Sequence, residues 1–198
     1  MLISLSHKFL FVANLKSASS SIERALSPFS EFRATRTKWG KHDDLSTIST
    51  KFHWIRKYVP RDELFVFGVI RDPVDFVLSL YNFHTRPGFD GQRHSSKGMD
   101  FEEFWRVWCE RSWQARPQYR RFIDEHGQFQ ISHLIEMSQL AAEFPEICSK
   151  LGVNATLKKL NVSPVLLSRA DLSPELIAQI EHRYADDYEF IKNRPRAL

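Results

Sequence analysis

Residues 9–26 read Phe9-Leu-Phe-Val-Ala-Asn-Leu-Lys-Ser-Ala-Ser-Ser-Ser-Ile-Glu-Arg-Ala-Leu26. Phe9 to Val12 is a short apolar run of the buried-strand type, and Ile22, Ala25 and Leu26 resume the apolar pattern at helical spacing. Between them lies a turn of small residues, with Lys16 at its mouth and Ser17, Ser19, Ser20 and Ser21 crowding the start of the helix. Backbone N–H groups, hydroxyls and one ammonium converge there, which makes an anion cradle. The Walker pattern G-x-x-x-x-G-K-[ST] requires glycines, and this turn has none, with Leu15 directly before the lysine. The turn therefore supports an ATPase poorly. Serines that merely cap a helix after a core strand would account for the same residues without any ligand.

At 198 residues the chain suits one domain, 1–198, with a full core. Its 42% hydrophobic and 26% charged content is that of a soluble globular protein. The formal net charge of +4 suits an anionic ligand but falls short of the basic stripe a nucleic-acid binder needs. Cys109 and Cys148, the only cysteines, lack a metal-like or redox spacing, so free thiols in a reducing compartment are the simplest reading. No metal site is indicated. Without a secretory leader or an apolar run of membrane-span length, the expectation is a cytoplasmic protein.

Outward from the cradle, residues 27–41 are irregular and basic, with Arg33, Arg36, Lys38 and Lys41 around Trp39. Asp43 and Asp44 then precede Leu45, Ile48 and Phe52, the pattern of an amphipathic helix with an acidic start and His42 at its entrance. Leu64 to Ile70 is apolar throughout and reads as a central strand covered on both faces. Arg71 ends it. Asp72 as N-cap and Pro73 at the first helical position open a helix through Val74, Val77, Leu78 and Tyr81. Residues 85–99 read as a mobile loop and a possible lid, and Asp100 opens a helix whose stripe of Phe101, Phe104, Trp105, Trp108 and Cys109 belongs to the core. A third strand over Phe129 to Ile135, a helix from Leu140 to Leu151 closed by Gly152, and a last helix from Ser173 through Tyr184 complete the pattern. Strands alternating with helices imply an α/β layered sheet with a parallel core, whose ligands bind at the carboxyl ends of the strands. The turns at Lys16 and Arg71 would then share one edge of the sheet and one cleft.

These stretches resemble the sulfotransferases that use 3′-phosphoadenosine 5′-phosphosulfate (PAPS), in particular the carbohydrate-type branch often called sulfotransferase family 2. Phe11 to Ile22 matches that family's 5′-phosphosulfate loop, commonly PKTAGTSI, and Phe67 to Tyr81 matches its 3′-phosphate segment. Lys41-His42, Gln114, Leu160 to Ser163 and the helix opening at Leu172-Ser173-Pro174-Glu175 are further echoes. The resemblance implies a P-loop-NTPase-like three-layer fold with a central, mostly parallel sheet flanked by helices. It implies that Lys16, Ser17, Ala18, Ser19, Ser20 and Ser21 hold the phosphosulfate, and that Arg71 and Ser79 hold the 3′-phosphate. In this sequence Leu15 stands for the usual proline and Ser19 for a glycine, so a requirement for φ > 0 at Ser19 would strain the loop.

Two separated anion sites are what such a donor needs. From Arg71 to Ser79 is eight positions, about two helical turns, so a guanidinium fork and a hydroxyl can approach one phosphate from adjacent edges. Pairing of Arg71 with Asp72 or Asp75 is the plainer alternative. Moving a sulfuryl group to a hydroxyl needs in-line placement, removal of the acceptor proton and stabilisation of charge on the leaving phosphate, the last of which suits Lys16. The transferred group carries less charge than a phosphoryl group, so a divalent metal is less needed.

His42 is the expected base: the positive end of a helix dipole favours a neutral imidazole, and the family commonly uses histidine or glutamate in this region. His53 and His84 are rivals, and Glu23 reads as a polar surface residue. Trp39, Trp54, Phe83, His84, Arg86 and Arg93 can line a sugar-binding face or belong to core and surface. The partners expected are therefore PAPS, leaving as adenosine 3′,5′-bisphosphate, and a hydroxyl-bearing acceptor such as a glycan. The alternatives are a P-loop kinase or NTPase and a catalytically inactive nucleotide-binding module.

Overall fold

A computed structural model of the chain describes every residue except 125, 129 and 159–163, together with the side chain at position 39. Five strands form one sheet in the order β3-β1-β2-β4-β5. They are β1 (Leu2–Ser4), β2 (Phe9–Val12), β3 (Phe32–Arg33), β4 (Phe65–Ile70) and β5 (His133–Glu136). The helices that matter for the site are α1 (Ser19–Leu26), α2 (Leu45–Lys51), α3 (Pro73–His84), α4 (Phe101–Glu103), α5 (Cys109–Arg111), α6 (Leu140–Lys150), α7 (Pro174–Arg183) and α8 (Ala185–Lys192).

The apolar runs became the parallel centre. Strand β4 is buried at all six positions and lies parallel to β2, with Phe11 beside Phe67, and to β5, with Val69 beside Ile135. The sheet is mixed rather than mostly parallel, because β1 runs antiparallel to both β2 and β3. Two or three residues are too few to leave a periodic signal, so neither β1 nor β3 was legible in the sequence.

Alternation along the strands feeds two cores. Phe9, Phe11, Phe65, Phe67 and Val69 pack with Ile22 and Leu26 of α1 and with Leu140, Phe144 and Ile147 of α6. Leu10, Val12, Val66, Ile70 and Leu134 face the other way, onto Leu45 and Ile48 of α2 and Phe190 of α8. The fold is thus α/β with helices on both faces of the sheet. A further cluster joins Val74, Phe76, Val77 and Tyr81 of α3 to Phe101, Phe104, Trp105, Trp108 and Cys109, the expected aromatic stripe, and to Leu176 and Ile180 of α7. Leu15 is part of it. An apolar residue before Lys16 therefore anchors the turn by packing.

Helix starts follow their capping chemistry. The Asp72 side chain accepts from the N–H groups of Val74 and Asp75, and Asp44 accepts from Thr47. Gly152 leaves α6 at φ 64°, the left-handed exit expected of it. Residues 85–99 are tied to the body at two points: Ser96 is buried, its N–H donates to the His84 carbonyl at 3.2 Å, and Trp108 Nε1 donates to the His94 carbonyl at 3.2 Å. The third strand is described over His133–Glu136, while position 129 lies outside the described residues. Helix α8 was not foreseen.

Candidate active site

The turn between β2 and α1 is held open by its own side chains. Asn14 Oδ1 accepts from the Leu15 N–H at 2.8 Å, Asn14 Nδ2 donates to Ser17 Oγ at 3.2 Å, and Ser17 Oγ donates to the Leu15 carbonyl at 3.0 Å. Ser17 is thus spent inside the turn. Lys16 and Ala18 take left-handed φ values of 56° and 53°, while Ser17 between them and Ser19 do not. Alternating φ signs build a concave nest of N–H groups. The two positions that need φ > 0 are therefore Lys16 and Ala18, not Ser19.

Ala18 is the N-cap of α1 and offers no side-chain cap, so helix capping does not explain the serines. None of the N–H groups of Lys16, Ser17, Ala18, Ser19 or Ser20 meets an acceptor among the described residues. Five consecutive donors left unpaired at a helix start are of the kind that can receive an anion.

The second turn meets the first. Arg71 Nη1 lies 3.5 Å from the Lys16 carbonyl oxygen, and the guanidinium makes no direct ion pair with Asp72 or Asp75, although both carboxylates favour its charge against the burial that opposes it. Asp72 is occupied by Arg169 at 3.3 Å, by the Tyr188 hydroxyl at 3.2 Å and by its capping bonds. Arg86 completes a trio of cations. Its guanidinium lies 4.1 Å from the ring centre of Phe83, and the Lys16 ammonium lies 3.8 Å from the same centre. Burial first, then the charges of Arg86 and Arg71, bring Lys16 down to about 7. Among the described residues no carboxylate pairs with Lys16, Arg71 or Arg86. Ser79 lies farther along α3, half-buried, and no contact joins it to Arg71.

His42 is tied to the same turn. Its Nδ1 lies 2.7 Å from the Ala13 carbonyl oxygen, which fixes the proton on Nδ1 and leaves Nε2 as the lone-pair nitrogen. Burial, helped by Arg121, Lys41 and the Met1 ammonium, lowers His42 to about 3, against the opposing pull of the Ala13 bond. The imidazole is neutral, and the cause is burial among cations rather than the dipole of α2, whose N-cap is Asp44. Arg121 Nη1 donates to the His42 carbonyl and holds the backbone from the other side.

Lys41 bridges to the cradle, donating to Ser20 Oγ at 3.1 Å and pairing with Glu23 at 2.8 Å. Glu23 is therefore not a surface residue: it is buried, with Lys41 on one oxygen and the Met1 ammonium 2.8 Å from the other. A glutamate one turn into an amphipathic helix gave no sign of this.

Of the proposed acceptor contacts, Phe83, His84 and Arg86 lie beside Lys16. His84 is buried against Trp108, with ring centres 4.7 Å apart, and its Nε2 meets Gln114 Oε1 at 3.1 Å. Burial first, with Lys16 and His94 among the further causes, lowers it to about 4. Trp54 packs on Phe32, ring centres 4.9 Å apart, in the α2 layer, and His53 is exposed with Nδ1 3.1 Å from the Thr50 carbonyl oxygen. No contact brings Trp54, His53 or Arg93 to the cradle. The Trp39 side chain and Leu160 to Ser163 lie outside the description.

A family model described as the sulfotransferase family matches residues 1–192. The chain is a member of the sulfotransferase family. No curated protein matches it. Membership makes this sulfotransferase a transferase of sulfuryl groups, which requires a sulfuryl donor and a hydroxyl-bearing acceptor. No helix is long and apolar enough to cross a membrane, and no group of metal-ligating side chains occurs among the described residues.

Sequence reasoning missed three buried polar residues behind the site. Asn14, Gln118 and Asp187 are all nearly inaccessible and hydrogen-bonded in a chain. A buried-run pattern interrupted by Asn14 was the only available signal.

Proposed function

We propose that this sulfotransferase moves the sulfuryl group of PAPS to a hydroxyl of a carbohydrate or similar small acceptor by in-line displacement, with His42 as base. The observation that carries the reading is the meeting of the two turns: Arg71 reaches the Lys16 carbonyl, Lys16 faces Arg86 and Arg71, and five consecutive N–H groups of the first turn are unpaired among the described residues. That inventory suits a ligand with two anionic ends.

The donor supplies an activated sulfuryl group on a phosphate leaving group. Lys16 and the N–H groups of Lys16 to Ser20 hold the 5′ end, with Ala18 shaping the nest and Ser19, Ser20 and Ser21 at the helix start. Arg71 holds the 3′-phosphate, and Ser79 is assigned to it through the family resemblance alone. Lys16, protonated when an anion replaces lost solvent, stabilises charge on the leaving oxygen. His42 accepts the acceptor's proton at Nε2, because Nδ1 is committed to Ala13. Phe83, His84 and Arg86 border Lys16 where an acceptor must approach, which suits a polyhydroxyl, anionic glycan. Trp39 is kept as an acceptor contact from sequence reasoning. Buried free Cys109 and Cys148 suit a reducing compartment, and we place the enzyme in the cytoplasm.

Calorimetry with adenosine 3′,5′-bisphosphate in metal-free buffer tests the donor assignment; a folded protein that binds none of it overturns the reading. For the base, His42→Ala is expected to keep bisphosphate affinity and to lose about 10²–10⁴-fold in labelled-sulfate transfer. Transfer at the native rate would remove His42 from the mechanism. A glycan panel scored with the same label identifies the acceptor.

A further inference from the structure

The backbone ladder between β2 and β4 ends at Val12 beside Gly68, yet both anion-binding turns lie beyond it, at Lys16 and Arg71. Gln118 takes over there. Its Oε1 accepts from the Arg71 N–H at 3.1 Å and its Nε2 donates to the Arg71 carbonyl at 2.8 Å, as a neighbouring strand would. The same Oε1 accepts from Asn14 Nδ2 at 3.0 Å, and Asn14 also grips Ser17 Oγ and the Val69 carbonyl, each at 3.2 Å. One side-chain amide therefore joins the phosphosulfate turn to the residue assigned to the other phosphate.

The amide is itself pinned. Asp187 of α8 accepts from the Gln118 N–H at 2.9 Å, from Gln118 Nε2 at 3.3 Å and from the Tyr119 N–H at 2.9 Å. Gln118 is 1% exposed and Asp187 0%, so neither can touch a ligand, and whatever they do is done through the turns. A fully satisfied buried network of this kind fixes relative positions rather than merely adding contacts.

We infer that Gln118 is a positioning residue that sets the spacing of the two anion-binding turns, so that a nucleotide with two phosphates is held far more tightly than its halves. The inference rests on the donor reading given above. Two phosphates on one nucleotide bind as linked groups, and their mutual advantage depends on the protein holding both sites at the ligand's own spacing. Release of Gln118 lets the spacing drift. Each site survives alone, because the nest at residues 16–20 and the Arg71 guanidinium are separate structures, and what is lost is the advantage of binding both.

The experiment measures affinity for adenosine 3′,5′-bisphosphate, 5′-AMP and 3′-AMP by calorimetry at pH 6.5 in the native chain, in Gln118→Met and in the milder Gln118→Asn, each checked for a cooperative melt. The variants are expected to lose about tenfold or more for the bisphosphate, a factor worth about 1.4 kcal/mol, with less than about threefold change for either monophosphate. Equal losses for all three ligands would show a merely structural role and overturn the inference, as would an unchanged bisphosphate affinity or loss of the fold in both variants. A native chain that binds the monophosphates no more weakly than the bisphosphate overturns the inference and leaves the donor reading standing. A native chain that binds none of the three overturns both.

Discussion

Lys16 stands in a position where its charge depends on what surrounds it. Buried over the Phe83 ring and facing Arg86 and Arg71, it titrates near 7 in the free protein. Its folded value lies below the usual lysine range, so the charged form is fully present only at acid pH and is lost as pH rises through 7. Affinity for the bisphosphate is therefore expected to fall above pH 7, by at most about tenfold per pH unit for one proton. Titrations from pH 6 to 8.5 check this, and Lys16→Arg, which cannot lose its charge in that range, should flatten the profile. Next to it, Ala18 sits at φ 53°, where a β-branched side chain is strained. Ala18→Val is expected to cost about 1–3 kcal/mol in urea unfolding, whereas glycine at the same place should be tolerated. Lys16, Arg71 and His42 were readable as candidates from their places in the turns after apolar strands and at a helix entrance, together with the family resemblance. The φ angles at Lys16 and Ala18, and the burial of Glu23, were not, because non-glycine residues carry no mark of a left-handed backbone and a carboxylate's burial depends on cations distant in sequence.

Strand β4 shows how closely an element is bound to its surroundings. A Cβ placed on Gly68 would lie 2.4 Å from Cε1 of Phe122, a fully buried ring stacked on Phe190 with centres 5.9 Å apart. The ring cannot swing away cheaply. Gly68→Ala is expected to cost about 1–3 kcal/mol by overpacking and to displace the segment carrying Gln118, so that bisphosphate affinity falls along with the melting temperature. Helix α8 has a different dependence. Burial pushes Asp187 up to about 6, against the three N–H groups that favour its charge. With the folded value above the unfolded one, its contribution to stability is complete below pH 4 and is lost as pH rises through 6. The stability gap between the native chain and Asp187→Asn should therefore be wider at pH 5 than at pH 7.5; a gap that narrows on acidification contradicts the assignment. Helix α3 was legible from Asp72-Pro73 and β4 from its unbroken apolar run. By contrast, α8 has one buried apolar residue in the core, Phe190, with the partly buried Ile191 packed against that core, and a buried acid, a combination that periodicity reads as surface.

At the scale of the whole molecule, two parallel strands bring their exits to one edge, and the rest of the chain makes that edge cationic. Layered α/β architecture followed from alternating strand and helix patterns, while the antiparallel extension by β1 and β3 depended on pairings that no local pattern encodes. The chain's last residues add to the opposite border of the sheet: the Leu134 N–H donates to the Pro195 carbonyl at 2.9 Å and the Ala197 N–H to the Ser132 carbonyl at 3.2 Å. Deleting residues 194–198 would uncover the outer side of β5 and is expected to promote self-association, measurable by light scattering. The crowding of Lys16, Arg71 and Arg86 has a kinetic corollary. On the function proposed above, Lys16 and Arg71 would hold phosphates that stay on the nucleotide after transfer, so the spent nucleotide would depart as reluctantly as the fresh one arrives. Turnover should be paced by release, and accumulated by-product should throttle the enzyme by competing for the vacancy it has just left.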